Sequence, residues 1–272
     1  MSDKYKKIGF IGSGKMAGAI IKGLVKTGFA PAENIEATQY ESLGIEEKSK
    51  KLGVKISLDN KELVKKSDVI FIATKPNQVV GVLEEIKPFI IPEKLVVSIA
   101  AGVTLKKLET NLPEGTRVVR VMPNTPALIG EGMSGMIGGK EVNSEDLEFV
   151  KSLLSTIGKC IVVDNEEQID IVTAISGSGP AFFYKVINEI ARAGEKLGMD
   201  YEKALLLSIQ TAIGSAKMAL NRDISMEQLI SNVATKGGCT AVGVNCMDEN
   251  KTEKLFYDVI KSTTEKAHAL GQ

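Results

Sequence analysis

The stretch Ile8-Gly-Phe-Ile11-Gly12-Ser-Gly14-Lys-Met-Ala17 decides the fold. Ile8 to Ile11 reads as a short buried strand, and Ala17, Ile20, Ile21, Leu24 and Val25 then recur at helical spacing until Gly28 stops the helix. Between them, Gly12, Gly14 and Ala17 fall in the Gly-x-Gly-x-x-Gly/Ala spacing. Each small residue has a physical task. Gly12 allows the tight turn, Gly14 lets the backbone approach a pyrophosphate, and Ala17 lets helix and strand pack closely. The helix start that follows offers free N–H groups and a positive dipole end to an anion. Glycines at this spacing are common, but their place between a strand and a helix with a defined end marks a dinucleotide site.

Working outward, short β-branched runs recur at Ile35–Thr38, Val69–Ala73, Leu95–Ile99 and Val118–Met122, with amphipathic stretches between them. Continuous apolar runs suit parallel strands buried on both faces. Strand–helix alternation over residues 1–164 therefore predicts a doubly wound, Rossmann-type parallel sheet. In such sheets ligands bind at the carboxyl ends of the strands. The turns Ala73-Thr74-Lys75-Pro76, Ser98-Ile-Ala-Ala101-Gly102 and Met122-Pro-Asn124-Thr-Pro126 fall there. Ala100, Ala101 and Gly102 leave room for a flat ring.

Ile161-Val-Val163 is the last strand signal, and residues 165–272 read as an all-helical second domain. The segment Ala204–Ile213 is apolar almost all round, with Leu205, Leu206 and Leu207 adjacent. A helix apolar on every face needs burial on every face. We read it as a subunit interface, against the alternative of the central helix of a monomeric bundle. The charge run Glu46–Lys51 reads as a solvated helix face and is assigned no function.

Composition excludes several functions. The 272 residues carry 34 Lys plus Arg and 34 Asp plus Glu, no excess for a nucleic-acid or polybasic membrane binder. No run of about eighteen apolar residues offers a membrane span. With no apolar signal core at the N-terminus, a cytoplasmic location is expected. Cys160, Cys239 and Cys246 lack metal-ligand spacing, so neither a zinc site nor a disulfide framework is expected. One histidine, His268, makes imidazole catalysis improbable. NAD selection commonly uses an acid at the end of the second strand, where Gln39 stands here, with no arginine to hold a 2′-phosphate. NADPH is the expected cofactor and NADH the alternative.

These motifs together resemble the pyrroline-5-carboxylate reductases, which make proline in its last biosynthetic step. The resemblance runs nearly end to end. It is carried by Phe10–Met16, Asp59-Asn-Lys-Glu62, Ala73–Pro76, Ser98–Val103, Arg120-Val-Met-Pro-Asn-Thr-Pro126, Ser176-Gly-Ser-Gly-Pro-Ala181, Gly237-Gly-Cys-Thr240 and Ala241–Asp248. It implies hydride transfer from NAD(P)H to the C=N bond of 1-pyrroline-5-carboxylate, giving L-proline. It also implies a homodimer interlocked through the helical domain, with a larger homo-oligomer open. Gly12, Ser13, Gly14, Lys15 and Met16 would wrap the pyrophosphate, with Gln39 and Asn60 near the adenosine ribose. Ala73, Thr74, Lys75, Pro76, Ala101, Met122 and Asn124 would border the nicotinamide, and Glu166 and Asn232 match further cofactor positions.

The same resemblance sends the substrate to Gly237, Gly238, Cys239 and Thr240, with Val233 beside its ring. Backbone amides at a helix start suit a small carboxylate. The Thr240 hydroxyl could then hydrogen-bond the ring nitrogen, the alternative being a plain helix N-cap. The chain departs from the family at Thr235-Lys236, where Ser-Pro is usual, and at Cys239. Those departures motivate one alternative, a reductase of another small cyclic imino acid; a separate alternative is a non-catalytic nucleotide sensor on the same fold, against which the intact Thr240 argues.

Overall fold

The computed structural model describes residues 6–220 and 223–271. Among these residues eight strands form one sheet: β1 (Ile8–Ile11), β2 (Ile35–Thr38), β3 (Lys55–Ser57), β4 (Val69–Ile72), β5 (Leu95–Ser98), β6 (Arg117–Met122), β7 (Gly132–Gly138) and β8 (Gly158–Val162). Their order is β3-β2-β1-β4-β5-β6-β7-β8, parallel throughout except where β7 runs antiparallel to β6. The crossover helices are α1 (Lys15–Lys26), α2 (Ile45–Leu52), α3 (Asn60–Lys66), α4 (Val79–Ile86), α5 (Leu105–Thr110) and α6 (Ser144–Leu154).

Alternation within the strands builds two cores. Phe10 of β1 and Phe71 of β4 face α1 with Ile20 and Leu24, their rings stacked at 4.6 Å. Ile11, Ile70 and Ile72 point the other way, onto Leu63 of α3, Leu83 of α4 and Leu108 of α5. Every residue of β1, β4 and β5 is buried, as parallel strands covered on both faces require.

The doubly wound expectation holds, with two strands it did not contain. β3 has only three residues, too few for a pattern. β7, Gly132-Met-Ser-Gly-Met-Ile-Gly138, carries three glycines that weaken any strand signal. They are there for contact: a Cβ on Gly135 would lie 2.7 Å from the Val172 side chain, and one on Gly132 would lie 2.8 Å from the Ile157 carbonyl oxygen. β8 starts earlier than its apolar residues suggest, at Gly158.

The chain divides into two compact units. One comprises the residues up to Ser178 together with those from Thr263 onward; the other is Gly179–Ser262. This division falls later than the change of pattern at 164–165. The first helical turns after the sheet, α7 (Glu167–Val172) and a single π turn at Thr173–Gly177, belong with the sheet. Ile169 and Ala174 are fully buried there.

The second unit holds α8 (Gly179–Lys196), α9 (Tyr201–Ala219), α10 (Met226–Val233), α11 (Cys239–Glu249) and most of α12 (Thr252–Gly271). Small residues let α8 and α9 approach: Gly194 sits over the Ala204 methyl, and the Tyr201 hydroxyl donates to Asn188 Oδ1 at 2.9 Å. The opposite faces are bare. Phe183, Tyr184, Leu206 and Leu207 are each more than half exposed within the single chain.

Candidate active site

Four chain turns meet at the carboxyl edge of the parallel strands, on the side where strand order reverses between β1 and its neighbours β2 and β4. The first is the glycine loop. Gly12 has φ +100°, and its N–H donates to the Thr38 carbonyl at 3.2 Å. A Cβ there would lie 2.6 Å from the Ala73 carbonyl oxygen, so only glycine fits. Gly14 is the N-cap of α1 and makes no side-chain cap; a Cβ on it would meet nothing within 4 Å. Crowding fixes Gly12, whereas open space surrounds Gly14, as a cradle for an approaching anion requires. Lys15 is exposed and Met16 half-buried against the core.

Beside this loop lies a cleft of about 490 Å³ whose lining includes Gly12, Gln39, Asn60, Thr74, Val82 and Glu85. The Asn60 carboxamide is held at both ends: its Oδ1 accepts from Thr38 Oγ1 at 2.6 Å, and its Nδ2 donates to Glu85 Oε2 at 2.8 Å. Thr74 Oγ1 is buried with no hydrogen-bond partner among the described residues. A buried hydroxyl without a partner is costly, and a polar ligand in this cleft would satisfy it. The donor set and open space therefore fit a dinucleotide. A larger open groove of about 670 Å³ runs along β2, α2 and β3 and includes no glycine-loop residue.

The charge run on α2 is not wholly solvated, contrary to its sequence reading. Ile45, Lys48, Ser49 and Leu52, at i, i+3, i+4 and i+7, form the inward stripe of the helix. Lys48 is half-buried, with Nζ 2.7 Å from Gln39 Oε1 and 3.4 Å from Ser13 Oγ. A lysine, rather than the arginine sought by the sequence pattern, thus stands beside Gln39. Its helical spacing from Ile45 was the available signal.

Farther along the same edge, Lys75 and Pro76 lead into a 3-10 turn and are exposed, as is Ala101. Met122 ends β6 half-buried, and a Cβ on Gly177 would strike its Cε at 2.6 Å. Asn124 is turned into the protein: its Oδ1 accepts from Met133 N at 2.9 Å, and its Nδ2 reaches both the carbonyl and Oγ of Ser176 at 3.2 Å. Glu166 is likewise engaged, with Arg120 at 2.8 Å and with the Leu105 N–H at the start of α5. Both residues therefore shape the edge through their neighbours.

The substrate-loop residues gather in the second unit. Thr235 to Gly238 forms a turn closed by a Gly238 N–H to Thr235 carbonyl bond of 2.9 Å, with Gly237 at φ +78° as a type II turn requires. Gly238, not Thr240, is the N-cap of α11. Thr240 is in its first turn, and its hydroxyl makes no hydrogen bond among the described residues. The N–H groups of Cys239 and Thr240 begin the helix and have no intrahelical acceptor. Asn232 and Val233 end α10, both exposed, with Asn232 Oδ1 accepting from Gln228 Nε2 at 2.8 Å. Groups of three or more metal-ligating side chains are absent among the described residues, as are helices long and apolar enough to cross a membrane.

Comparison with known proteins gives this geometry its context. Residues 166–270 match the family described as pyrroline-5-carboxylate reductase dimerisation, and residues 7–102 match NADP oxidoreductase, coenzyme F420-dependent. The pyrroline-5-carboxylate reductase of Methanosarcina acetivorans is 40% identical over 267 residues, covering 98% of each chain. The chain belongs to the pyrroline-5-carboxylate reductase family.

A solved pyrroline-5-carboxylate reductase from Coxiella burnetii is 32% identical with a TM-score of 0.94, covering 99% of this chain and 100% of its own. The Plasmodium falciparum pyrroline carboxylate reductase, solved with NADP bound, is 33% identical with a TM-score of 0.84 and 98% of each chain covered. Family membership thus agrees with the glycine loop, the cleft beside it and the helical second unit.

Proposed function

We propose that this chain reduces 1-pyrroline-5-carboxylate to L-proline with NADPH, as the last step of proline biosynthesis. The observation that carries this reading is end-to-end similarity to reductases of that substrate in a chain whose sheet edge fits a dinucleotide. A bound NADPH would supply a hydride to the imine carbon of the ring, which becomes C5 of proline, while the ring nitrogen takes a proton. The protein supplies position. Ser13 and the N-terminus of α1 hold the pyrophosphate by backbone donors, Gly12 making the tight turn that presents them, and the Thr74 hydroxyl adds a donor in the cleft. The amides at the start of α11 receive the substrate carboxylate. The free Thr240 hydroxyl faces no competing cap role and orients the ring nitrogen.

The family match over 166–270 and the bare apolar faces of α8 and α9 support a homodimer formed through the helical unit. Three unpaired cysteines agree with a reducing, cytoplasmic setting. The test is NADPH oxidation with pyrroline-5-carboxylate and a panel of other cyclic imines, followed by chiral analysis of the product. L-proline formed with clear preference for pyrroline-5-carboxylate is the expected result. No preference among the imines, or no proline, would overturn it.

A further inference from the structure

At the end of β2 the chain places an unpaired cation where the adenosine ribose of a dinucleotide lies. Gln39 Nε2 donates to the carbonyls of Glu41 and Leu43, at 2.5 and 3.0 Å, which fixes the carboxamide and turns its Oε1 toward Lys48. Lys48 Nζ donates to that oxygen at 2.7 Å and lies 3.4 Å from Ser13 Oγ in the glycine loop. Both partners are neutral. No carboxylate pairs with this half-buried ammonium among the described residues, although Glu46 and Glu47 precede it on α2. Both are exposed.

We propose that Lys48 selects the 2′-phosphorylated cofactor, with Ser13 and Gln39 positioning its ammonium. This rests on the cofactor reading above and adds the residue that makes the choice. The glycine loop and the α1 dipole act on the pyrophosphate, which NADH and NADPH share, so they give no discrimination. An acid at position 39 would accept from a free 2′-hydroxyl and repel a phosphate; the neutral Gln39 does not repel one, and its Oε1 is already engaged by Lys48. A phosphate monoester carries nearly two negative charges at neutral pH. An ammonium held at the same strand end supplies a charge-assisted bond that NADH cannot use. Lys50 and Lys51 on the same helix are exposed and off its inward stripe, so they add little more than screened charge.

The test measures equilibrium binding rather than turnover. NADPH, NADH, 2′,5′-ADP and 5′-ADP are titrated into the wild-type protein, Lys48→Gln and Lys48→Arg by calorimetry or nicotinamide fluorescence. Lys48→Gln is expected to weaken NADPH and 2′,5′-ADP by about 10- to 100-fold, leaving NADH and 5′-ADP unchanged. Lys48→Arg should retain most of the preference, and the salt dependence of NADPH binding should fall in Lys48→Gln. Equal weakening of all four ligands, or unchanged NADPH affinity in a folded Lys48→Gln, overturns the assignment while leaving the cofactor reading intact. A wild-type protein that binds none of the four overturns both.

Discussion

Arg120 on the central strand β6 reaches Glu166, with Nη1 2.8 Å from Oε1. The guanidinium is almost fully buried, and its Nη2 also lies 3.8 Å from Asp170 Oδ1. His268, far along the chain, meets the other oxygen of Asp170 at 3.1 Å. One arginine therefore ties the last parallel core strand, the entry to α7 and the end of α12 together.

Replacing Arg120 with Met is expected to destabilise the fold by about 3 kcal/mol, the low end for a broken buried pair, because Glu166 keeps partial contact with solvent. Two acids would be left near a buried strand, Glu166 with the Leu105 N–H and Asp170 with His268, but neither with the arginine. Urea or thermal unfolding of the variant checks this; an unchanged midpoint would show the network to be dispensable.

Gly12 and Gly14 separate stability from binding. Gly12→Ala forces a side chain against the Ala73 carbonyl at φ +100° and should lower the melting temperature as well as cofactor affinity. Gly14 has φ −71°, which alanine adopts freely, and open space around its Cβ position. Gly14→Ala should unfold normally while binding NADPH and NADH equally more weakly. Thermal melts run beside nucleotide titrations distinguish the two outcomes.

For Thr240 the expected loss is in rate alone. Gly238 caps α11, so Thr240→Val should leave the melting temperature unchanged while lowering kcat by about 100-fold, as for removal of one positioned donor. Thr240→Ser should recover most of the activity. A valine variant at full rate would remove the hydroxyl from the mechanism.

Burial pushes the Cys160 thiol up from its ordinary value near 9 to about 12. The unfolded chain gives up this proton first, so the fold keeps its full contribution below pH about 9 and loses it progressively toward pH 12. Unfolding midpoints of the wild type should therefore fall faster over that alkaline window than those of Cys160→Ala. Parallel slopes for the two proteins would contradict this. The native thiol should also resist alkylation at neutral pH, since the thiolate is the reactive form.

Much of this was legible in the chain. The glycine loop and the strands β1, β4 and β5 announce themselves because strands buried on both faces must be continuously apolar, and a pyrophosphate cradle needs small residues at fixed spacing. β7 hid because its glycines serve contacts with Val172 and Ile157, which no local pattern records. Lys48 hid inside a charge run, since a lysine turned inward looks the same in sequence as one turned out. Asn124 and Glu166 are expected at the site from the family resemblance alone, and what their side chains touch is a matter of long-range packing. That Gly238 rather than Thr240 caps α11 was not legible, because the turn that decides it depends on the φ of Gly237.

The course of the chain between its two units also bears on how the protein can be dissected. It leaves the first unit after Ser178 and re-enters it at Thr263, bringing His268 to Asp170 and Leu270 to the turn at Gly102. A fragment ending at residue 164 would forfeit Glu166, Asp170 and that returning strip at once, stranding Arg120 without any acid. The nucleotide-binding half is thus not a detachable module, and grafting or swapping it between relatives requires carrying both crossings.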